Sequence, residues 1–109
     1  MNSWVGISAV MVTHKVVIRP AAAGDLEAIA TYTKQQWGVR QAKRYVAALR
    51  IDIESLASFP TRHALYRSSD GHEFRKLSSG HHLVFYTIDE RTVQVIRVLH
   101  ERMDVDRHL

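Results

Sequence analysis

Hydrophobic positions recur along this chain in two rhythms, one helical and one of strands. His14 to Arg19 (His-Lys-Val-Val-Ile-Arg) is short and β-branched, which predicts a strand. Pro20 closes it and suits the first turn of a helix. Leu26, Ile29, Ala30, Thr33 and Trp37 then fall at helical spacing, with Asp25 and Glu27 near the positive end of the dipole. Gly38 is expected to stop this helix as a left-handed cap and to open a Gly38-Val39-Arg40 turn. Ala42, Tyr45, Leu49, Ile53 and Leu56 mark a second helix, ended by Pro60, so the two form an antiparallel hairpin. The simplest reading of this aliphatic and aromatic stripe, Trp37 included, is core packing.

Thr61 to Gly71 reads as a loop containing a short extended piece at Leu65-Tyr66-Arg67. Three strand patterns follow. Glu73 to Ser78 leads into a Ser79-Gly80 turn, and His82 to Ile88 and Thr92 to His100 flank the hairpin loop Asp89-Glu90-Arg91. The predicted order is β-α-α-β-β-β: an α+β fold with a helical hairpin packed on a small, largely antiparallel sheet. Residues 14–109 make one domain. Residues 1–13 lack the charged start and apolar stretch of a signal peptide, and are expected to be an extension outside the fold, with Met11 an alternative start.

Pairing the last two strands across their loop sets Ile88 against Val93, Tyr86 against Val95, Val84 against Arg97 and His82 against Leu99. Leu83, Phe85, Thr87, Gln94, Ile96 and Val98 then share the other face. Both faces are apolar, whereas a sheet with one wet face alternates more cleanly. Two helices cover only one face. The other needs a cover: a protein partner or second copy is the favoured expectation, and the chain's own termini are the rival.

Composition narrows the classes. The chain has 109 residues, enough for one domain that buries roughly two thirds of its unfolded surface. No apolar run is long enough to span a bilayer. The absence of cysteine excludes disulfides, thiolate metal sites and a cysteine nucleophile, and fits a cytoplasmic setting. Fifteen Lys and Arg against eleven Asp and Glu leave a formal charge of +4, which favours an acidic partner.

No phosphate-loop, dinucleotide or HExxH pattern is present. His81 and His82 are adjacent, so in a regular strand their rings point to opposite faces and cannot share a metal. Neither a metal nor a cofactor is expected. What remains is a basic set at strand ends and tail: Arg75, His82, Arg97, His100, Arg102, Arg107 and His108. Such cations suit phosphate or acidic-surface contact, and a histidine suits proton transfer near neutral pH.

Four segments carry a family resemblance: Asp25-Leu26-x-x-Ile29-x-x-Tyr32, Leu56-x-x-Phe59-Pro60, Leu83-Val84-Phe85-Tyr86, and Val95-Ile96-Arg97-Val98-Leu99-His100-x-Arg102-x-Asp104. Their order and spacing over residues 14–109 resemble the ParE branch of the RelE/ParE toxin superfamily. The resemblance implies a toxin wrapped and neutralised by a ParD-like antitoxin in a hetero-oligomer, with DNA gyrase as its target. It implies binding without a catalytic step, no membrane association, and no sequence-specific DNA contact by this chain itself.

On that reading Arg75, Arg97, His100, Arg102, Arg107 and His108 are the expected target or antitoxin contacts. The RelE branch implies a different activity, ribosome-dependent mRNA cleavage, for which Arg75, His82, Arg102 and His108 would be the catalytic set. Here His82 replaces the branch's usual arginine, and His108 stands where it places a tyrosine. A third alternative is a degenerate toxin that retains only antitoxin binding.

Overall fold

The computed structural model describes residues 13–109. Most of the expectation that residues 1–13 form an extension therefore lies outside the described residues. The chain forms β1 (Lys15–Ile18), α1 (Pro20–Trp37), α2 (Val39–Glu54), β2 (Ala64–Arg67), β3 (Glu73–Ser79), β4 (His82–Asp89) and β5 (Thr92–His100). The Leu65–Arg67 piece is thus a full strand, extended by Ala64, and the sheet has five strands in the order β1-β5-β4-β3-β2. Only the β1–β5 pair is parallel. Among the described residues no helix is long and apolar enough to cross a membrane.

A single residue joins the helices. Gly38 has φ 90° and ψ 169°, an extended mirror-image conformation that is essentially restricted to glycine, and not the left-handed cap expected. Its amide donates to the carbonyl of Lys34 and its carbonyl accepts from Ala42, so the chain reverses in one step.

The hairpin packs on one face of the sheet. Ala22, Ile29, Leu49, Ile53 and Leu56 meet Leu77, Val84, Tyr86, Val93, Val95 and Val98 there. The Tyr86 hydroxyl donates to the Pro60 carbonyl, and its burial pushes its pKa up to about 12. Ser79 Oγ donates to Asp52 Oδ2 at 2.6 Å and fastens β3 to α2.

The β4–β5 register departs from the expected one partway along. Ile88–Val93 and Tyr86–Val95 pair as read from the sequence, but Phe85 pairs with Arg97 and His82 with His100. Ile96 is the extra residue, a β-bulge that shifts every later partner by one. Val98 therefore joins the helix side and Leu99 the far side.

The far face is closed largely by the chain itself. Phe85 and Leu99 are fully buried yet stand outside the helix-side core. Tyr66 packs edge-on against Phe85, and its hydroxyl donates to Asp106 Oδ1 at 2.7 Å. Asp106 also accepts the Ser69 amide, and the His108 carbonyl accepts Arg97 Nη1 at 3.0 Å. The C-terminal tail, residues 101–109, thus lies across this face. An external cover, favoured on sequence grounds, is not what buries these two side chains.

Asp25 also differs from its expected role. It lies in the second turn of α1, past the first turn where the helix dipole acts most strongly, and it completes the sheet edge beyond the end of β1. Its carboxylate accepts the Val98 amide at 2.9 Å and is held by Arg97 Nε and Nη2 at 2.7 and 2.8 Å. An edge amide without a strand partner needs such an acceptor.

Candidate functional site

Three surfaces carry the candidate chemistry. The first lies where the joined end of the helical hairpin meets the β3–β4 turn. Gly80 takes φ +59° in this turn, and a Cβ there would come within 2.5 Å of the Tyr45 hydroxyl. Because His81 belongs to the turn and not to β4, the alternation of a strand does not separate it from His82. The His81 and His82 rings both sit near His100, with centroids 6.3 and 5.2 Å away. The Tyr45 hydroxyl is 2.7 Å from His82 Nδ1, and His81 Nδ1 is 3.0 Å from Glu101. Among the described residues no three such groups are placed to hold a metal ion. Burial, reinforced by His100 and His81, holds the His82 pKa below that of a free imidazole. With Tyr32, Trp37 and Gln41 these groups line a cavity of about 660 Å³.

The second surface is a groove of about 560 Å³ along the hairpin. Val39, Ala42, Val46, Ala47 and Ile51 give it an apolar lining, and its charged residues are Lys34, Lys43 and Arg50 against one carboxylate, Glu54. A smaller cavity of about 300 Å³ shares Val46, Arg50 and Glu54 with it and reaches Val16 and Ile18 of the edge strand β1. The groove and the cavity beside β1 thereby adjoin through one apolar and two charged residues.

The third is the tail. Arg107 pairs with Asp104 at 3.5 Å, but both side chains are largely exposed, so the pair is worth little. Arg102 is exposed, and its backbone amide donates to His100 Nδ1.

The expected site residues separate into groups. Arg75 Nη1 donates to the carbonyls of Thr61 and His63, which pins the segment after the helices to β3. Arg97 is committed to Asp25 and to the tail carbonyl of His108. His82 and His100 come together, although the sequence register set them apart. The members of the set Arg75, His82 and His108 have separate partners: Arg75 is engaged with the 61–63 segment, His82 with Tyr45, and the His108 backbone carbonyl with Arg97.

Comparison with known proteins decides the family. The family model for the ParE toxin of the type II toxin–antitoxin system parDE matches residues 16–105. The chain is 41% identical over 100 residues to Toxin ParE1 of Mycobacterium tuberculosis H37Rv, covering 89% of this chain and 99% of that protein. The chain belongs to the ParE toxin family.

Toxin ParE1 of Caulobacter vibrioides is 40% identical over 90 residues, covering 81% of this chain and 90% of that protein. The fold resembles a toxin structure from the chromosomal ParDE system of P. aeruginosa, with a TM-score of 0.70, 19% identity, and coverage of 81% of this chain and 96% of that one. It also resembles a chain of the RelBE2 toxin–antitoxin complex of M. tuberculosis, with a TM-score of 0.62, 23% identity, and coverage of 83% and 93%. As a ParE-family protein the chain is the toxin component of a type II toxin–antitoxin system.

Sequence reading missed Tyr32, Trp37, Gln41 and Tyr45 as members of the histidine cavity. Tyr32 and Trp37 are exposed, at 62% and 70%, where the helical stripe placed Trp37 in the core. Tyr45 is half-buried, and its hydroxyl is bonded at the sheet end. One usable signal was available: Trp37 directly precedes the helix-ending Gly38, where a large side chain has few neighbours to pack against.

Proposed function

We propose that this ParE-family toxin inhibits DNA gyrase by binding it, and that a ParD-like antitoxin neutralises it by laying an acidic amphipathic segment in the hairpin groove. The observation that carries the antitoxin half is the groove itself. Its apolar lining accepts one face of a helix, and Lys34, Lys43 and Arg50 are placed to meet acidic residues along that helix. Continuity with the cavity beside β1 suits a segment that orders as it wraps, since wrapping buries large areas from a short peptide.

The gyrase half rests on family membership and on the tail. Arg102 and Arg107 are the cations of the expected contact set whose guanidinium groups the fold does not spend on buried partners. They are exposed and close in sequence, and they suit an acidic patch on a large target.

A supercoiling assay tests both halves. Stoichiometric toxin is expected to block supercoiling by purified gyrase, and the cognate antitoxin to restore it. The double variant Lys43→Glu and Arg50→Glu is expected to inhibit as before but to resist rescue. Full supercoiling in the presence of excess toxin contradicts the gyrase half. Rescue of the double variant at the original antitoxin concentration contradicts the groove.

A further inference from the structure

The histidine cavity at the end of the sheet belongs neither to the groove nor to the tail. Hydrogen bonding fixes the tautomer of one of its imidazoles and suits one tautomer of a second. A backbone N–H can only donate, so His100 Nδ1, which receives the Arg102 amide at 3.1 Å, carries no proton. The proton of neutral His100 is therefore on Nε2. At His82 the Tyr45 hydroxyl accepts the His81 amide at 2.9 Å and has its own proton free to donate to His82 Nδ1, 2.7 Å away. Neutral His82 is then also an Nε2–H donor. Among the described residues neither Nε2 has a hydrogen-bond partner.

The same cavity offers two aromatic rings with little packed against them, Tyr32 and Trp37, and the Gln41 amide. Exposed aromatic rings are platforms for planar ligands. Paired imidazole donors suit an oxyanion, and Glu101, the carboxylate among the described residues whose charge reaches His82, is occupied by His81. The cavity volume of about 660 Å³ lies in the range of small-ligand sites.

We propose that this cavity binds a nucleotide unit bearing a terminal phosphate, its base against Trp37 and Tyr32 and its phosphate on Nε2 of His82 and His100. An anion held at His82 Nε2 draws a proton onto His82 Nδ1, with the Tyr45 hydroxyl turning from donor to acceptor, so binding strengthens as the pH falls toward the histidine range. The groups that face His82 are Tyr45 of α2, His81 of the turn, and His100 with Glu101 at the end of β5. His81 and His100 oppose its protonation and Glu101 favours it. The bound phosphate adds a second favourable charge.

Tryptophan fluorescence tests this in the full chain carrying Trp4→Phe, which leaves Trp37 as the only tryptophan. The probes are adenosine 5′-monophosphate, adenosine and inorganic phosphate, at pH 6.5 and 8, where the phosphate monoester is mostly dianionic. The monophosphate is expected to bind about tenfold tighter than either fragment, and about fivefold tighter at pH 6.5 than at pH 8. His82→Asn and His100→Asn keep an acceptor where Nδ1 stands and remove the Nε2 donor. Each is expected to keep the fold, checked by circular dichroism, and to abolish the phosphate preference. His108→Asn, outside the cavity, is expected to change nothing.

Equal affinity for monophosphate and adenosine overturns the proposal, as does undiminished binding in both asparagine variants. Binding of phosphate as tight as that of the nucleotide overturns the aromatic half. A 5′-phosphorylated trinucleotide distinguishes the sources. Tighter binding than the monophosphate supports a strand end, and equal binding supports a free nucleotide. None of these outcomes depends on whether gyrase is the target.

Discussion

The cations of β3 and β5 and those of the tail look alike in sequence and do opposite work. Arg97 and Arg75 lie within strands and spend their guanidinium groups on the fold, the first on Asp25 and the His108 carbonyl, the second on the Thr61 and His63 carbonyls. Arg102 and Arg107 lie exposed in the tail, and among the described residues the fold asks little of either side chain. A basic residue on a small toxin is therefore not a contact residue by virtue of its charge. What decides is whether carbonyls and carboxylates of the same chain already surround it. Evolution of a new target surface is expected to be easy in the tail and costly in the strands.

The largest effect that sharpens this contrast is expected at Arg97. The side chains of Arg97 and Asp25 are only 23% and 15% exposed, so Arg97→Ala leaves a nearly buried carboxylate with one amide partner. A loss of about 3 kcal/mol in urea unfolding is expected. The same substitution is expected to loosen the tail, read as faster amide exchange at Asp106 to His108. A loss under about 0.5 kcal/mol would put Arg97 with the free cations.

Arg75→Met comes next. It keeps much of the stem and removes two hydrogen bonds from a charged donor to carbonyls, for an expected loss of about 2 kcal/mol in the same assay. The segment 60–63 is expected to become protease-sensitive. Unchanged proteolysis would mean that Tyr86 and its bond to Pro60 hold the segment without help.

A smaller effect is expected from pH. Burial lowers the pKa of His82, and burial together with Arg62 and Arg75 lowers that of His63. Above about pH 6.5 both rings are neutral, folded or unfolded. Below it the unfolded chain takes up protons first, so stability falls with pH until each lowered folded value is passed. Urea midpoints at pH 7.5 and 5.5 are expected to show this decline, and His82→Asn to flatten part of it. A decline of full size in that variant would assign it to His63.

The smallest stability effect is expected from Arg102→Ala combined with Arg107→Ala, within about 0.5 kcal/mol of the parent. That near-silence in unfolding is the point of the comparison, because the same pair is expected to lose toxicity. A loss of more than 1 kcal/mol would mean the tail cations are structural after all.

Much of the fold was legible in the sequence, for identifiable reasons. The helical hairpin follows from its spacing and from Gly38, and the three C-terminal strands follow from β-branched runs between turn residues. The bulge at Ile96 was not legible, since nothing in Val95-Ile96-Arg97 distinguishes an extra residue from a paired one. That one residue reassigned Val98 and Leu99 and moved His82 from opposite Leu99 to opposite His100. The candidate surfaces were therefore less legible than the fold. The histidine cavity needs the bulge, the placement of His81 in the turn, and Tyr45 reaching across from α2. The self-covering tail depends on Asp106 and the His108 carbonyl, and its composition looks like solvated charge.

Pulse-labelling of DNA and protein in the same cells, after induction of the toxin without its antitoxin, tests the central claim most directly. The parent chain is expected to stop DNA synthesis first while translation continues, and the Arg102→Ala, Arg107→Ala variant, at equal protein level, to stop neither. Arrest of translation first would contradict gyrase binding and point to the ribosome-dependent nuclease activity of the RelE branch.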